Sequence, residues 1–216
     1  MKALVKLILS LALVFISIFI VMKLTGIITI DKVENWLLIA KNAGVLTLIL
    51  IVIVILLSDL LLSIPTLATV TLSGYFLGHT YGAIASLIGL MLVGMLGYVV
   101  SYYHGEKIEK RILPTSEQRL DARQNFKKHG YVMILFSRAI PMLPEISACM
   151  AGMTNMPFSR FIGAWLLSIT PYILICTYAG SVSSLDNPAP AIYSAISVNV
   201  LLWLAWYYHR VKTKCS

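Results

Sequence analysis

The chain is 216 residues long, 59% apolar and only 12% charged, with a mean hydropathy of +0.87 and a formal net charge of +8. A soluble domain is about half apolar and a quarter charged, and a globule of this size cannot bury so large an apolar excess. A cytosolic enzyme, a disordered chain and a secreted disulfide scaffold are therefore excluded, and the three cysteines cannot pair completely. An integral membrane protein of one domain remains.

Behind Lys2 and Lys6, residues 7–22 form an apolar run that no small-residue cleavage site follows, so it reads as an uncleaved first span. Asp31 and Glu34 have capping-box spacing, and Trp36 suits headgroup depth, which predicts a short interfacial helix. Residues 1–42 thus precede a membrane domain over 43–208 and a basic tail over 209–216. Residues 43–62 are long enough to cross about 30 Å of hydrocarbon. The next apolar piece, running to Gly74 and Gly78, is too short to span and too apolar for an exposed loop. Pro65 also forbids a smooth continuation of the preceding helix. A re-entrant hairpin over about 63–80 satisfies both facts.

Residues 82–103 form the next full span. Pro114 divides the polar segment 104–130, and Thr115 with Gln118 has the capping-box spacing of a helix that ends at Lys128 before Gly130. Two more short apolar pieces, interrupted by Pro141 and Pro144 and ending near Gly152, predict a second re-entrant hairpin over about 131–156. Residues 158–178, with Pro171, and 191–208, closing in Trp203, Trp206, Tyr207 and Tyr208, complete the spans. The expected class is an all-α polytopic membrane protein, an inverted repeat of re-entrant hairpin plus transmembrane helix with additional spanning helices.

The positive charge is concentrated in Lys107, Lys110, Arg111, Arg119, Arg123, Lys127 and Lys128, and again in Arg210, Lys212 and Lys214. No base-reading motif accompanies it, so nucleic acid is no partner. The positive-inside rule places 104–130 and 209–216 in the cytoplasm and 181–190 outside. Lys2 and Lys6 leave the side of the N-terminus open, because five full spans would put it outside.

The two broken regions share a layout. Asp59 precedes Pro65, and Arg138 precedes Pro144, by the same interval; Gly74 and Gly152 follow. Inverted repeats that meet at interrupted helices build midplane sites in many secondary transporters. Asp59, Arg138 and Glu145 are the ionisable residues deep in these blocks, and a charge in hydrocarbon is kept only where it pairs, meets water or works. Two readings stand for them. In one, Asp59 and Arg138 form a structural ion pair, or Asp59 marks a helix end. In the other, Arg138 holds a phosphate or other anion through its forked donors, while Asp59 or Glu145 takes and releases a proton. His79, His104 and His129 read as solvated residues, Arg160 as a snorkelling cation, and Asn155 as a partner of hairpin backbone amides. No zinc spacing, nucleophile elbow or phosphate loop is present, so neither enzyme activity, a metal nor another cofactor is expected.

The stretch Phe136-Ser137-Arg138-Ala139-Ile140-Pro141-Met142-Leu143-Pro144-Glu145, followed by Ala151-Gly152-Met153, Phe158, Phe161 and Gly180, resembles the signature of the DedA/VTT superfamily, also called SNARE-associated Golgi proteins. The resemblance covers about residues 55–180. It implies two re-entrant hairpins of opposite orientation, and it matches Asp59 and Arg138 to positions needed for activity. It further implies lipid transport of a flippase or scramblase kind in a bacterial inner membrane, with polyprenyl phosphate or phospholipid as substrate and protons as a coupled partner. Undecaprenyl-phosphate-type members usually carry a second arginine six residues after the first. Pro144 stands there, so the chain resembles the P-x-x-P branch. The rival functions are a proton- or cation-coupled antiporter for small solutes and a structural assembly protein. The sequence does not specify the oligomeric state.

Overall fold

The computed structural model describes residues 2–25, 44–62, 66–139 and 143–183. The expected interfacial helix, Pro65, Pro141, the span 191–208 and the basic tail lie outside them. Every regular element described is helical. Helix α1 (Lys2–Thr25) buries Leu7 and Leu11 and exposes Leu9, Leu13 and Ile16. Helix α2 (Val45–Leu62) follows Gly44, whose carbonyl accepts from Leu48 N.

The helical run Thr66–Ile112 is broken at Gly78, where φ is 75° and ψ is 169°. Only glycine adopts that backbone without strain. The break is a reversal. Ser73 Oγ lies 2.9 Å from Ser86 Oγ and 3.3 Å from Gly82 O, whereas a straight helix would hold residues 73 and 86 about 20 Å apart. The run is therefore two antiparallel arms, α3 (66–77) and α4 (79–112). The chain thus reverses at Gly78, close to the C-terminal end of the stretch 63–80 read as a hairpin.

Beyond Tyr103 the sequence suggests the end of a span, yet α4 continues to Ile112. Its polar end is held by Glu109, whose fully buried carboxylate takes two hydrogen bonds from Arg123, at 3.1 and 2.6 Å. Arg119 Nη1 donates to the carbonyls of Leu113 and Pro114, which the end of a helix leaves without partners. Helix α5 (Ser116–Leu135) starts at the expected cap, with Thr115 Oγ1 accepting from Gln118 N. Gly130 does not stop it. That glycine is buried against the Phe126 ring, which a Cβ would strike, so close packing explains it and the helix runs on to Leu135.

A 3-10 turn, Ser137–Ala139, leads toward α6 (Leu143–Met153). Pro144 sits in the first turn of α6, where its missing N–H costs nothing, rather than at a break within a longer piece. Asn155 closes α6 with a left-handed φ of 52°, and its backbone N donates to Gly152 O. Its side chain is exposed; the contribution is backbone conformation, not the amide capping expected of it. Helix α7 (Phe158–Val182) runs through Pro171.

Within the run 66–107 the long arm α4, like α7, is long and apolar enough to cross a membrane. On α4, Ile84, Ile88, Leu92, Leu96 and Val100 form an exposed stripe at four-residue spacing. Water would make that stripe a liability, whereas lipid makes it the natural outer face.

Candidate functional site

The inner face of α7 carries Trp165, Ser168, Tyr172 and Cys176 at helical spacing, all buried. Gly94 on α4 has no side chain to hold the indole away, so Trp165 lies directly over it. There Trp165 Nε1 donates to Leu90 O at 3.0 Å. Phe161 packs on the indole at 5.6 Å and stacks on Tyr98 at 4.9 Å. Tyr98 in turn donates to Met156 O at 2.6 Å, fastening the turn after α6 to α4.

Arg138 reaches this face from the 3-10 turn. Its Cζ lies 5.3 Å from the Trp165 ring centroid and 5.4 Å from that of Tyr172. Both distances are within cation–π range. The two ring-bearing residues are about 10.5 Å apart along the helix, and Ser168 lies on the turn between them. Asp59 and Glu145 arrive from two other elements, and with Arg138 they lie within electrostatic reach of Tyr172. Asp59, near the end of α2, is 4% exposed and accepts from Thr66 Oγ1 at 2.6 Å. Glu145 is in the first turn of α6, where the helix dipole favours a negative charge.

Three buried side-chain polar atoms among the described residues lack a hydrogen-bond partner: Arg138 Nε, Glu145 Oε2 and Ser168 Oγ. An orphaned buried donor or acceptor costs about 1–3 kcal/mol. Two of the three are the expected candidates and the third shares the α7 face. Together they present an N–H donor, a carboxylate acceptor and a hydroxyl that can do either.

Asp59, Arg138 and Glu145, singled out by their depth in the sequence, thus all lie within electrostatic reach of Tyr172. Gly74 and Gly152 are not at this centre. A Cβ on Gly74 would strike the Thr177 backbone, and one on Gly152 the Tyr98 carbonyl, so both are close-approach points between helices. Pro144 positions Glu145 by starting α6. His79 is not a solvated loop residue: it is half-buried and lies 3.0 Å from Thr177 Oγ1. Since Thr177 gives its own proton to Ile173 O, His79 Nδ1 is the donor. His104, His129 and Arg160 are exposed. No group of three or more potential metal ligands occurs among the described residues. Trp165, Ser168 and Tyr172 escape sequence reading, although their i, i+3, i+7 spacing was available.

Residues 64–182 match the family model described as the VTT domain. The chain is 24% identical over 160 residues to undecaprenyl phosphate transporter A of Bacillus subtilis, covering 67% of this chain and 80% of that protein. An uncharacterised membrane protein of Synechocystis is 31% identical over 104 residues, 44% of this chain and 48% of the relative. Protein DedA of Escherichia coli is 26% identical over 117 residues, 46% and 53% respectively. The chain thus spans about half the length of these last two. No solved structure matches it.

Proposed function

This chain belongs to the VTT-domain family of membrane proteins, and from that premise we propose that it carries lipids with an anionic phosphate headgroup across a bacterial inner membrane. Arg138 contacts the phosphate, and Asp59 and Glu145 balance its charge or relay protons. The observation that carries this reading is the Arg138 guanidinium held against the Trp165 and Tyr172 rings with its buried Nε unpartnered, a donor that an incoming headgroup would satisfy; Glu145 Oε2 and Ser168 Oγ are buried and unpartnered as well. The Bacillus relative's name, an undecaprenyl phosphate transporter, supports a lipid phosphate as substrate.

Depth supports it too. His79, at the Gly78 turn, and Tyr98, which holds the turn after α6, are about 29 Å apart along α4, close to the hydrocarbon thickness. Leu90, which receives the Trp165 indole, is roughly midway between them. The order of helix, short helix, turn and long helix occurs twice, as α2–α3–α4 and α5–α6–α7, and both short helices fall well below spanning length. We read these as two re-entrant units of opposite orientation whose junction exposes polar backbone to a crossing headgroup while the acyl chains stay in lipid.

The test is translocation of a fluorescent polyprenyl phosphate in proteoliposomes, with and without an imposed proton gradient. Arg138→Ala and Asp59→Asn should abolish it. Unchanged translocation in both variants contradicts the reading, and a pH-gradient response without lipid movement would favour the small-solute antiporter.

A further inference from the structure

The helical hydroxyls of α7 divide into two kinds. Thr170, Thr177 and Ser181 donate back to carbonyls three or four residues earlier, at 2.8, 2.8 and 2.7 Å. That is the ordinary resting place of a hydroxyl on an apolar helix. Ser168 has the same option, is 5% exposed, and leaves its Oγ unpartnered. It lies on the helical turn between the two rings that flank Arg138.

Those rings matter for a second reason. An aromatic face attracts a guanidinium without consuming its N–H groups, so the charge is held flat while its donors remain for something else. Trp165 is well suited to this because the Leu90 carbonyl and the bare surface at Gly94 fix its orientation.

We propose that Trp165, Ser168 and Tyr172 form a headgroup-reading wall on α7: the two rings are positioning residues that hold the Arg138 guanidinium flat, and Ser168 Oγ contacts the same phosphate. This rests on the transport reading above and extends it to three residues on one helix.

The experiment is a binding titration of the full chain in nanodiscs with labelled farnesyl phosphate, competed by inorganic phosphate. Ser168→Ala should weaken farnesyl phosphate binding about tenfold, the loss of one hydrogen bond to a charged group. Tyr172→Leu should weaken it severalfold, and Tyr172→Phe, which keeps the ring face, should recover most of that loss. In a background with Trp36, Trp203 and Trp206 replaced by Phe, increasing fluorination of Trp165 should weaken binding stepwise. Fluorine drains the ring's negative face and leaves its shape nearly unchanged, so a packing role would not respond. If Ser168→Ala and fluorinated Trp165 bind like the parent while Arg138→Ala does not, the wall is refuted and the transport reading survives. Should Arg138→Ala also bind normally, both fall. Inorganic phosphate competing at concentrations comparable to farnesyl phosphate would show a site for the free anion and overturn the headgroup assignment.

Discussion

Arg138 brings a permanent charge to a face built from an indole, a phenol and a serine. Its value there lies in shape as much as in charge, because a planar guanidinium can lie against both rings and still present donors. Lysine keeps the charge as a compact point and loses that geometry. Arg138→Lys should therefore cut the initial translocation rate about tenfold or more, between the parent and Arg138→Ala, in the proteoliposome assay. Away from the site, Arg123→Ala would strand the buried Glu109 carboxylate at the α4–α5 elbow and cost about 3 kcal/mol, read as a lowered unfolding midpoint in detergent. The hydrogen bonds to Glu109 raise the Arg123 pKa above its ordinary value. A raised value stabilises below the unfolded pKa and is lost only as pH rises through the folded one, far into alkali. Stability from Arg123 should accordingly be flat from pH 7 to 10. Asp59, Arg138 and Glu145 stood out in the sequence because charges in oil need a reason. Ser168 and the two aromatics were not, since such residues on an apolar helix usually do no more than pack.

At the scale of elements, glycines separate turn chemistry from close packing. Gly78 has open space around its missing side chain but a left-handed φ, so Gly78→Ala should cost about 1–2 kcal/mol through backbone strain alone. Gly152 has an ordinary helical backbone and the Tyr98 carbonyl against it. Gly152→Ala must push α6 from α4, and the cost should reach about 1–3 kcal/mol or more because backbone cannot yield as a side chain can. Gly163 meets nothing within 4 Å, and Gly163→Ala should be neutral or slightly stabilising. Unfolding midpoints of the three variants in one detergent check the ranking. The cap at Thr115 was readable from local spacing, as were the short apolar pieces. Gly130 was misread because a helix-stopping glycine and a packing glycine look alike until Phe126 is seen beside it. The prolonged α4 was hidden for a similar reason: Glu109 and Arg123 lie on different helices, so no local pattern reveals their pairing.

Across the whole molecule, composition alone indicated a membrane protein, and the VTT-domain match agrees with the residues that carried the resemblance. Orientation is a property of the assembled chain, and it makes a separate prediction. In a background with Cys149, Cys176 and Cys215 replaced by Ser, a single cysteine at the exposed Thr80 and one at the exposed Asn155 should react with an impermeant maleimide from opposite sides of oriented vesicles. Labelling from the same side would break the inverted arrangement. The most direct measurement is an experimental structure in nanodiscs with a polyprenyl phosphate bound. The phosphate is expected within hydrogen-bond distance of Arg138 and Ser168, between the Trp165 and Tyr172 rings and at mid-depth. A phosphate bound elsewhere, with Arg138 Nε and Ser168 Oγ still unpartnered, would contradict it.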